Sequence, residues 1–312
     1  MKVSVVSPVF MAEGLVKPLV ERLSRALENT YPNFEIILID DGSTDGSWAE
    51  VLQTEEDNSR VMPVRLSRNF GQHVAITAGL DFCTGDIVVV MDCDLQDRPE
   101  EVPRLIAALQ ASQDCDCVIA LRAQRKDGFI KRLGSRLFYA LLNLSTGMRL
   151  DYRAANFGAY SRRMINAVQR LREPDRSFPF FIHWVGFEKA FLEVEHAPRA
   201  TGQSSYSFYK LLKLALTIGM GVSDRPMKIV MALGALLSLC SFSLGLVVFI
   251  RYFLGLVSEP GYASLILSFL FFSGVIILVL GFVGLYVGRV FIASKERSLY
   301  VLSHSPSAES NL

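Results

Sequence analysis

Residues 86–97 read Asp-Ile-Val-Val-Val-Met-Asp-Cys-Asp-Leu-Gln-Asp, an apolar strand that runs directly into a group of carboxylates. In open α/β sheets, ligands bind in the crevice outside the carboxyl ends of the strands. Asp92 and Asp94 are two residues apart, so on an extended backbone their side chains share a face and can approach one hard cation. Asp, Gln and Pro after a strand are also ordinary turn and capping residues, so the rest of the sequence must decide.

A second apolar strand ends in carboxylates earlier in the chain. Residues 35–45 read Glu-Ile-Ile-Leu-Ile-Asp-Asp-Gly-Ser-Thr-Asp, with Asp40 and Asp41 directly after the apolar run. Further apolar runs, separated by stretches with helical spacing, occupy 3–10, 61–66 and 116–121. This alternation predicts βαβ units and a mostly parallel sheet, with two acidic strand ends on one rim.

The overall composition argues against several classes of protein. The 312 residues carry 32 Lys and Arg against 31 Asp and Glu, a net charge of +1 that gives no indication of a nucleic-acid partner. The five cysteines form no CxxC pair and the four histidines have no zinc-ligand spacing, so we interpret the cysteines as reduced cytosolic thiols. No GxGxxG follows the first strand and no Walker loop is present, which argues against a dehydrogenase or an NTPase.

Two long apolar runs lie near the end of the chain. Residues 229–250 and 260–288 contain no charged side chain, and a transmembrane helix needs ~20 predominantly apolar residues. Lys and Arg are more frequent outside the pair of runs than between them, where Arg251 is the single basic residue. The positive-inside rule then places both termini in the cytoplasm. A buried helical hairpin of a soluble protein is the alternative interpretation.

Five short motifs follow one another along the chain. They are Pro8-Val9, Asp40-Asp-Gly-Ser-Thr-Asp45, Asn69-Phe-Gly71, Asp92-Cys-Asp-Leu-Gln-Asp-Arg-Pro-Glu100 and Arg199-Ala-Thr-Gly-Gln-Ser-Ser-Tyr206. Together they resemble the family 2 inverting glycosyltransferases with the GT-A fold. More narrowly they resemble the polyprenyl-phosphate sugar transferases, which include bactoprenol glucosyltransferases and dolichol-phosphate mannose synthases. The resemblance covers essentially the whole chain and implies an α/β nucleotide-sugar-binding domain followed by interfacial helices and a two-helix transmembrane hairpin.

The resemblance and the apolar runs divide the chain into six predicted parts. They are a cytoplasmic GT-A domain at 1–204, an interfacial amphipathic segment at 205–228, transmembrane helices at 229–250 and 263–288, the short non-cytoplasmic loop 251–262 between them, and a polar cytoplasmic tail at 289–312. In the interfacial segment Lys210 and Lys213 lie among leucines, a pattern that suits a membrane surface. A plain amphipathic core helix would show the same pattern.

The resemblance implies how the acidic strand ends are used. A divalent cation that bridges the diphosphate oxygens of a nucleotide-sugar stabilises the leaving group as the anomeric bond breaks. We expect Asp92, Asp94 and Gln96 to bind this cation, and oxygen ligands favour Mg²⁺ or Mn²⁺. The residues expected to contact the nucleotide-sugar are Pro8, Glu13, Asp40, Asp41 and Asp92.

The acceptor implied by the resemblance is a lipid phosphate. Its phosphate oxygen is already anionic at neutral pH, so the site must position it more than deprotonate it. Arginines can clamp phosphate through bidentate contacts, and the residues expected at the acceptor phosphate are Arg122, Arg125, Arg199, Ser204 and Tyr206. The residues expected to act in catalysis are Asp94, Asp151, Arg122 and Arg199. Asp151 lies where related enzymes have an aspartate proposed as a base, and a turn or cap role is the alternative for it.

The sequence thus predicts an inverting, metal-dependent transfer of one sugar from a nucleotide-diphospho-sugar to a polyprenyl (undecaprenyl) phosphate. The enzyme would be a multi-pass protein of the inner (plasma) membrane, with its catalytic domain in the cytoplasm and membrane lipid around its helices. Glycines in the apolar runs would permit a homo-oligomer. Two alternatives stay open: a glycosyltransferase that acts on another lipid or glycan acceptor, and a non-catalytic nucleotide-sugar-binding scaffold in the membrane.

Overall fold

The computed structural model describes residues 1–112, 114–122, 154–173, 176–195, 261–295 and 297–305, together with scattered positions between 232 and 254. These residues fall into two compact units. One unit contains a sheet with its helices and includes residues 298–305. The other contains a long apolar helix.

The first unit is built on an eight-stranded sheet with the strand order β7-β5-β6-β4-β1-β2-β3-β8. Its strands are β1 (Val3–Val9), β2 (Phe34–Asp40), β3 (Val61–Leu66), β4 (Ile87–Val90), β5 (Cys117–Arg122), β6 (Ala154–Ser161), β7 (Lys189–Val194) and β8 (Leu302–His304). Strands β4, β1, β2 and β3 are parallel neighbours, and β7 is parallel to β5. Strand β6 runs antiparallel between β4 and β5, and β8 runs antiparallel beside β3. The prediction of a mostly parallel sheet is confirmed.

Helices cover the sheet. They are α1 (Val16–Leu27), α2 (Ser47–Asp57), α3 (Gln72–Phe82), a 3₁₀ turn at Pro99–Glu101, α4 (Val102–Ala111), α5 (Arg162–Gln169) and α6 (Phe178–Trp184). Helix α1 packs against α2 and α4, while α3 packs on β1 and β2 and also contacts α5 and α6. Every residue of β1, β2 and β4 is buried, as expected of parallel strands that helices cover on both faces.

The register of the central strands brings three strand ends to one rim. Val9 at the end of β1 pairs with Asp40 at the end of β2, and Val6 of β1 pairs with Val90 of β4. The pairing continues past the strands, since the Asp41 amide donates to the Val9 carbonyl at 2.9 Å. The loops that follow β1, β2 and β4 therefore emerge side by side, and those after β2 and β4 carry the carboxylates.

The second unit contains helix α7 (Tyr262–Ser294). Within it, the 24-residue stretch Phe271–Ser294 contains an 18-residue window that has a mean hydropathy of 2.5 and no buried residue, so by length and composition this helix could cross a membrane. It is the one such helix in the part of the chain that the structure describes. The first predicted span, 229–250, is described only at scattered helical positions, and the segment 205–228 lies outside the described residues. The two-helix hairpin therefore stays a prediction.

A buried carboxylate joins the amino ends of the central strands, opposite the polar rim. Glu35 is 7% exposed, and its side chain accepts hydrogen bonds from Ser4 Oγ at 2.6 Å and from the Thr84 amide at 2.8 Å. Lys2 Nζ lies 2.5 Å from the same carboxylate. Burial by itself would raise the pKa of Glu35, but the hydrogen bonds from Lys2, Ser4 and Thr84 outweigh it and hold the pKa below its ordinary value.

Substitution of Glu35 by glutamine is expected to lower the stability of the protein at pH 7 by about 1.5–3 kcal/mol, the range for hydrogen bonds to charged groups. Because the folded pKa is depressed, this stability is present above the unfolded pKa and is lost as the pH falls through the folded pKa. Thermal unfolding in detergent at pH 7 and at successively lower pH should therefore show a deficit that shrinks on acidification. The exposed Glu56→Gln variant is the control, and an equal deficit at every pH would contradict the assignment.

Candidate functional site

A cavity of about 360 Å³ opens at the rim formed by the carboxyl ends of β1, β2 and β4. It is lined by Pro8, Phe10, Asp41, Asn69, Gly71, Gln72, Asp92, Cys93 and Asp94. Four of these residues, Pro8, Asp41, Asp92 and Asp94, are predicted site residues. A larger groove of about 560 Å³ lies along α1 and α2, where acidic and basic side chains are mixed, and it contains no predicted site residue. The smaller cavity is therefore the candidate site.

Asp41 holds one wall of the cavity in place. Its carboxylate is 2% exposed and accepts hydrogen bonds from the amides of Phe70 at 2.7 Å and Gly71 at 2.9 Å. Burial raises the pKa of Asp41, although both amides and the charge of Arg68 act in the opposite direction. Gly71 has φ +99, a conformation that L side chains rarely adopt, so glycine is needed where the turn meets the carboxylate.

Asp40 points away from the cavity. It is fully buried, and its carboxylate accepts from Arg65 Nε at 3.0 Å and from the Ser43 amide at 3.2 Å. The intervening Gly42 has φ +69, and a Cβ there would lie 2.5 Å from the carbonyl carbon of Arg68. Asp40 thus fixes the turn that follows β2, while its predicted contact with the nucleoside stays a prediction.

The two carboxylates that follow β4 line the cavity together. The side-chain amide of Gln72, at the start of α3, donates to Asp92 Oδ1 at 2.5 Å. The backbone amide of Gln96 donates to Asp94 Oδ1 at 3.1 Å. Each of these bonds limits the rotation of the carboxylate that accepts it. The Gln96 side chain is not part of the cavity wall, and its predicted metal contact stays a prediction.

Backbone strain is concentrated beside the cavity. Among the described residues, the non-glycine residues with positive φ are Met11 at 50° and Leu95 at 58°. Met11 adjoins the cavity residue Phe10, and its amide donates to Ser43 Oγ at 3.1 Å. Leu95 adjoins Asp94. Such conformations cost of order 1–3 kcal/mol each and persist where the surroundings determine them, most often at binding sites.

The donor set suits a divalent cation that is shared with a ligand. Mg²⁺ usually binds through one or two carboxylates, with substrate phosphates and waters completing its shell. Asp92 and Asp94 provide two carboxylates to one cavity. No group of three or more His, Cys, Asp or Glu side chains forms a closed metal site within the part of the chain that the structure describes. The arrangement therefore fits a cation held between the protein and a phosphate-bearing ligand.

The remaining predicted residues lie apart from this cavity or outside the described residues. Glu13 is exposed, and its carboxylate accepts from the Gly46 amide at 3.1 Å, which ties the loop after β1 to the start of α2. Arg122 is the last residue of β5. The predicted residues that lie outside the described part of the chain are Arg125, Asp151, Arg199, Ser204 and Tyr206.

Sequence reasoning missed several residues of the site. Phe10, Gln72 and Cys93 line the cavity, and Arg65 is the partner of Asp40. The sequence does suggest that Gln72 lies near the site, because Gln72 directly follows the Asn69-Phe-Gly71 motif. No pattern in the sequence indicates that the amide of Gln72 reaches a carboxylate twenty residues further along the chain.

Solved structures share this fold. Glucosyl-3-phosphoglycerate synthase from Mycobacterium tuberculosis, in complex with phosphoglyceric acid, aligns with a TM-score of 0.54 and 20% sequence identity, covering 72% of this chain and 81% of that one. The same enzyme in complex with Mg²⁺ and uridine-diphosphate aligns with a TM-score of 0.52 and 21% identity, over 71% and 79% of the two chains. At these identities the comparison shows the fold, which is of the GT-A type.

Comparisons of sequence extend over almost the whole chain. The uncharacterized glycosyltransferase sll0501 of Synechocystis sp. is 32% identical over 303 residues, 97% of this chain and 95% of the relative. The uncharacterized glycosyltransferase YkcC of Bacillus subtilis is 33% identical over 310 residues, 98% and 94% of the two chains. The family model "Glycosyl transferase family 2" matches residues 4–168, and this range includes all the residues that line the cavity. The resemblance to the family 2 glycosyltransferases is thereby confirmed: the chain belongs to glycosyl transferase family 2 and is a glycosyltransferase.

Proposed function

We propose that this glycosyltransferase transfers a single sugar, with inversion, from a nucleotide-diphospho-sugar to a polyprenyl phosphate at the cytoplasmic face of the membrane. The observation that carries the proposal is the cavity in which Asp92 and Asp94 lie together at the carboxyl rim of the parallel strands. This is the position in which open α/β sheets bind ligands, and two carboxylates suit a cation shared with a diphosphate.

The donor would bind in this cavity. Asp92 and Asp94 would hold Mg²⁺ or Mn²⁺, which when bound would neutralise charge that develops on the diphosphate leaving group. Gln72 orients Asp92, and Asp41 fixes the turn at Phe70 and Gly71, so the chain supplies a preformed wall. The M. tuberculosis enzyme with the same fold was crystallised with Mg²⁺ and uridine-diphosphate, which supports a divalent cation and a nucleoside diphosphate as ligands here.

The acceptor step needs positioning more than a strong base. An oxygen of the polyprenyl phosphate would attack the anomeric carbon from the face opposite the diphosphate, forming one C–O bond as the other breaks. That oxygen is already ionised at neutral pH, so no proton has to be removed from it. The residues proposed to hold this phosphate are Arg122, Arg125, Arg199, Ser204 and Tyr206, with Asp151 proposed beside the reacting groups.

The course of the chain after α7 supports a membrane hairpin. Strand β8 follows α7 and pairs with β3, so residues 302–304 are part of the same sheet as the cavity. If α7 were the single segment to cross the bilayer, β8 would lie on the opposite side of the membrane from the rest of its sheet. If α7 spans, a second crossing is therefore needed within 196–261, where the uncharged run 229–250 is the proposed first span.

Transfer to lipid is tested with the purified full-length protein in detergent. The protein is incubated with undecaprenyl phosphate, Mg²⁺ or Mn²⁺ and a panel of radiolabelled nucleotide-sugars, and the label is followed into organic solvent. We expect one sugar to enter the lipid phase in a metal-dependent reaction, as a product labile to mild acid.

Two control acceptors separate the alternatives in that assay. Undecaprenol lacks the phosphate and should accept no sugar. 3-Phosphoglycerate, offered as a soluble anionic acceptor, should also remain unlabelled. Transfer to either compound would contradict the proposed acceptor, and binding of nucleotide-sugar without transfer to any acceptor would favour a non-catalytic scaffold.

A further inference from the structure

The chain that follows helix α7 returns to the sheet and is held there at several points. We name residues 298–305 the C-terminal strap. Its strand β8 pairs antiparallel with β3, and the Ser67 amide donates to the Val301 carbonyl at 2.8 Å. Tyr300 donates its hydroxyl hydrogen to Asp81 Oδ2 at 2.7 Å, at the end of α3. Ser305 is 6% exposed. The strap is therefore an integral part of the unit that contains the sheet.

The strap ends in a stack of side chains that leads towards the cavity. The His304 ring meets the Trp48 ring edge-on, with 5.3 Å between centroids and an interplanar angle of 63°. The guanidinium carbon of Arg65 lies 5.2 Å from the centroid of the Trp48 ring. Aromatic edge contacts and cation–π contacts are directional, so each member of the stack restricts the next. Trp48 thus contacts both His304 and Arg65.

Arg65 also forms hydrogen bonds with the turn beside the cavity. Its Nε donates to Asp40, and its Nη2 donates to the Ser43 carbonyl at 3.3 Å. Asp40 in turn accepts from the Ser43 amide. Asp41, which directly follows Asp40, lines the cavity and accepts hydrogen bonds from the amides of Phe70 and Gly71 in the opposite turn. The stack from His304 thus ends on the backbone that carries a wall of the candidate donor site.

We propose that the C-terminal strap is a positioning element for the nucleotide pocket, with His304 acting through Trp48 and Arg65 on the 40–43 turn. The proposal rests on the donor site proposed above and adds to it a residue far away in sequence. The strap begins four residues after the last residue of α7, Ser294. Nucleotide binding would then depend on the segment that joins the apolar helix to the sheet.

The test compares three variants of the full-length protein. His304→Ala removes the ring, His304→Phe keeps an aromatic edge for Trp48, and Val301→Ser changes an exposed side chain of the same strap as the matched control. Hydrogen exchange is measured at the amides of Asp41 and Ser43 without ligand. Binding of uridine diphosphate and, separately, guanosine diphosphate is measured with Mn²⁺, and the donor KM and kcat are measured in the lipid-transfer assay.

We expect His304→Ala to raise the Kd of the nucleoside diphosphate about two- to tenfold, the range that one aromatic contact supplies. The donor KM should rise with kcat nearly unchanged, and the two amides should exchange faster, while His304→Phe and Val301→Ser behave like the wild type. A purely structural role would lower the unfolding temperature and leave KM unchanged. Unchanged exchange and unchanged affinity in His304→Ala would overturn the proposal.

The exchange measurement distinguishes this proposal from the proposed function. If the wild type binds neither nucleoside diphosphate, the proposed donor site is contradicted. Faster exchange at Asp41 and Ser43 in His304→Ala would then still support the positioning of the turn by the strap. If the wild type binds and transfers sugar while the exchange in His304→Ala is unaltered, the proposed function stands and the role of the strap is refuted.

Discussion

Substitution of Asp94 by alanine is expected to lower the rate of sugar transfer by about 100- to 1,000-fold, the loss typical when one preorganised group that stabilises developing charge is removed. Asp94 lies on the cavity wall beside Asp92, and its carboxylate is oriented by the Gln96 amide. With Asp94 removed, Asp92 is left as the single carboxylate after β4 in the cavity wall. The cation would then be held through fewer protein oxygens while the diphosphate leaves.

Metal binding provides a measurement of Asp94 that is independent of turnover. Titration of the purified protein with Mn²⁺, followed by calorimetry or electron paramagnetic resonance, should show weaker binding in Asp94→Ala and also in Asp94→Asn, which keeps the size of the side chain. Asp57→Ala removes an exposed carboxylate that pairs with Lys17 on another face, and it is the matched control. Full activity and unaltered Mn²⁺ affinity in Asp94→Ala would refute the metal assignment.

The central strands of this fold could be predicted because they are buried on both faces. β1, β2 and β4 read as unbroken apolar runs, and their order with intervening helices predicts parallel pairing. β6 could not be predicted in the same way. It contains Asn156 and Gly158, and its place in the sheet depends on antiparallel pairing with β4 and β5, which are distant in sequence. β8 is three residues long and carries no periodicity of its own.

The rim of the site could be predicted, but the direction of each side chain could not. Successive side chains along an extended backbone point to opposite faces, so neighbours such as Asp40 and Asp41 are directed to different sides. The structure turns Asp41 towards the cavity and Asp40 towards Arg65. Which aspartate faces the cavity depends on the side of β2 to which each side chain points and on Arg65 of β3, which is the partner of Asp40. A single sequence does not contain that three-dimensional information.

Replacing Arg65 by methionine is expected to destabilise the protein by about 3 kcal/mol, the lower end of the range for leaving a buried charge without its partner. Asp40 is fully buried, whereas the side chain of Arg65 is 33% exposed, so water partly compensates the loss. Thermal or chemical unfolding in detergent measures the effect. Arg25→Met is the matched control, because that arginine is 77% exposed and pairs with Glu21 on the surface of α1.

A double substitution tests whether the buried charge of Asp40 is the cause of that loss. If it is, Asp40→Asn combined with Arg65→Met should be more stable than Arg65→Met alone, because the neutral amide no longer needs the guanidinium. We expect both Arg65→Met and the double variant to bind nucleotide more weakly than the wild type. In the double variant neither Arg65 nor the carboxylate of Asp40 any longer fixes the 40–43 turn. An Arg65→Met variant as stable as Arg25→Met, or a double variant less stable than Arg65→Met, would show that the pair does not hold this part of the sheet.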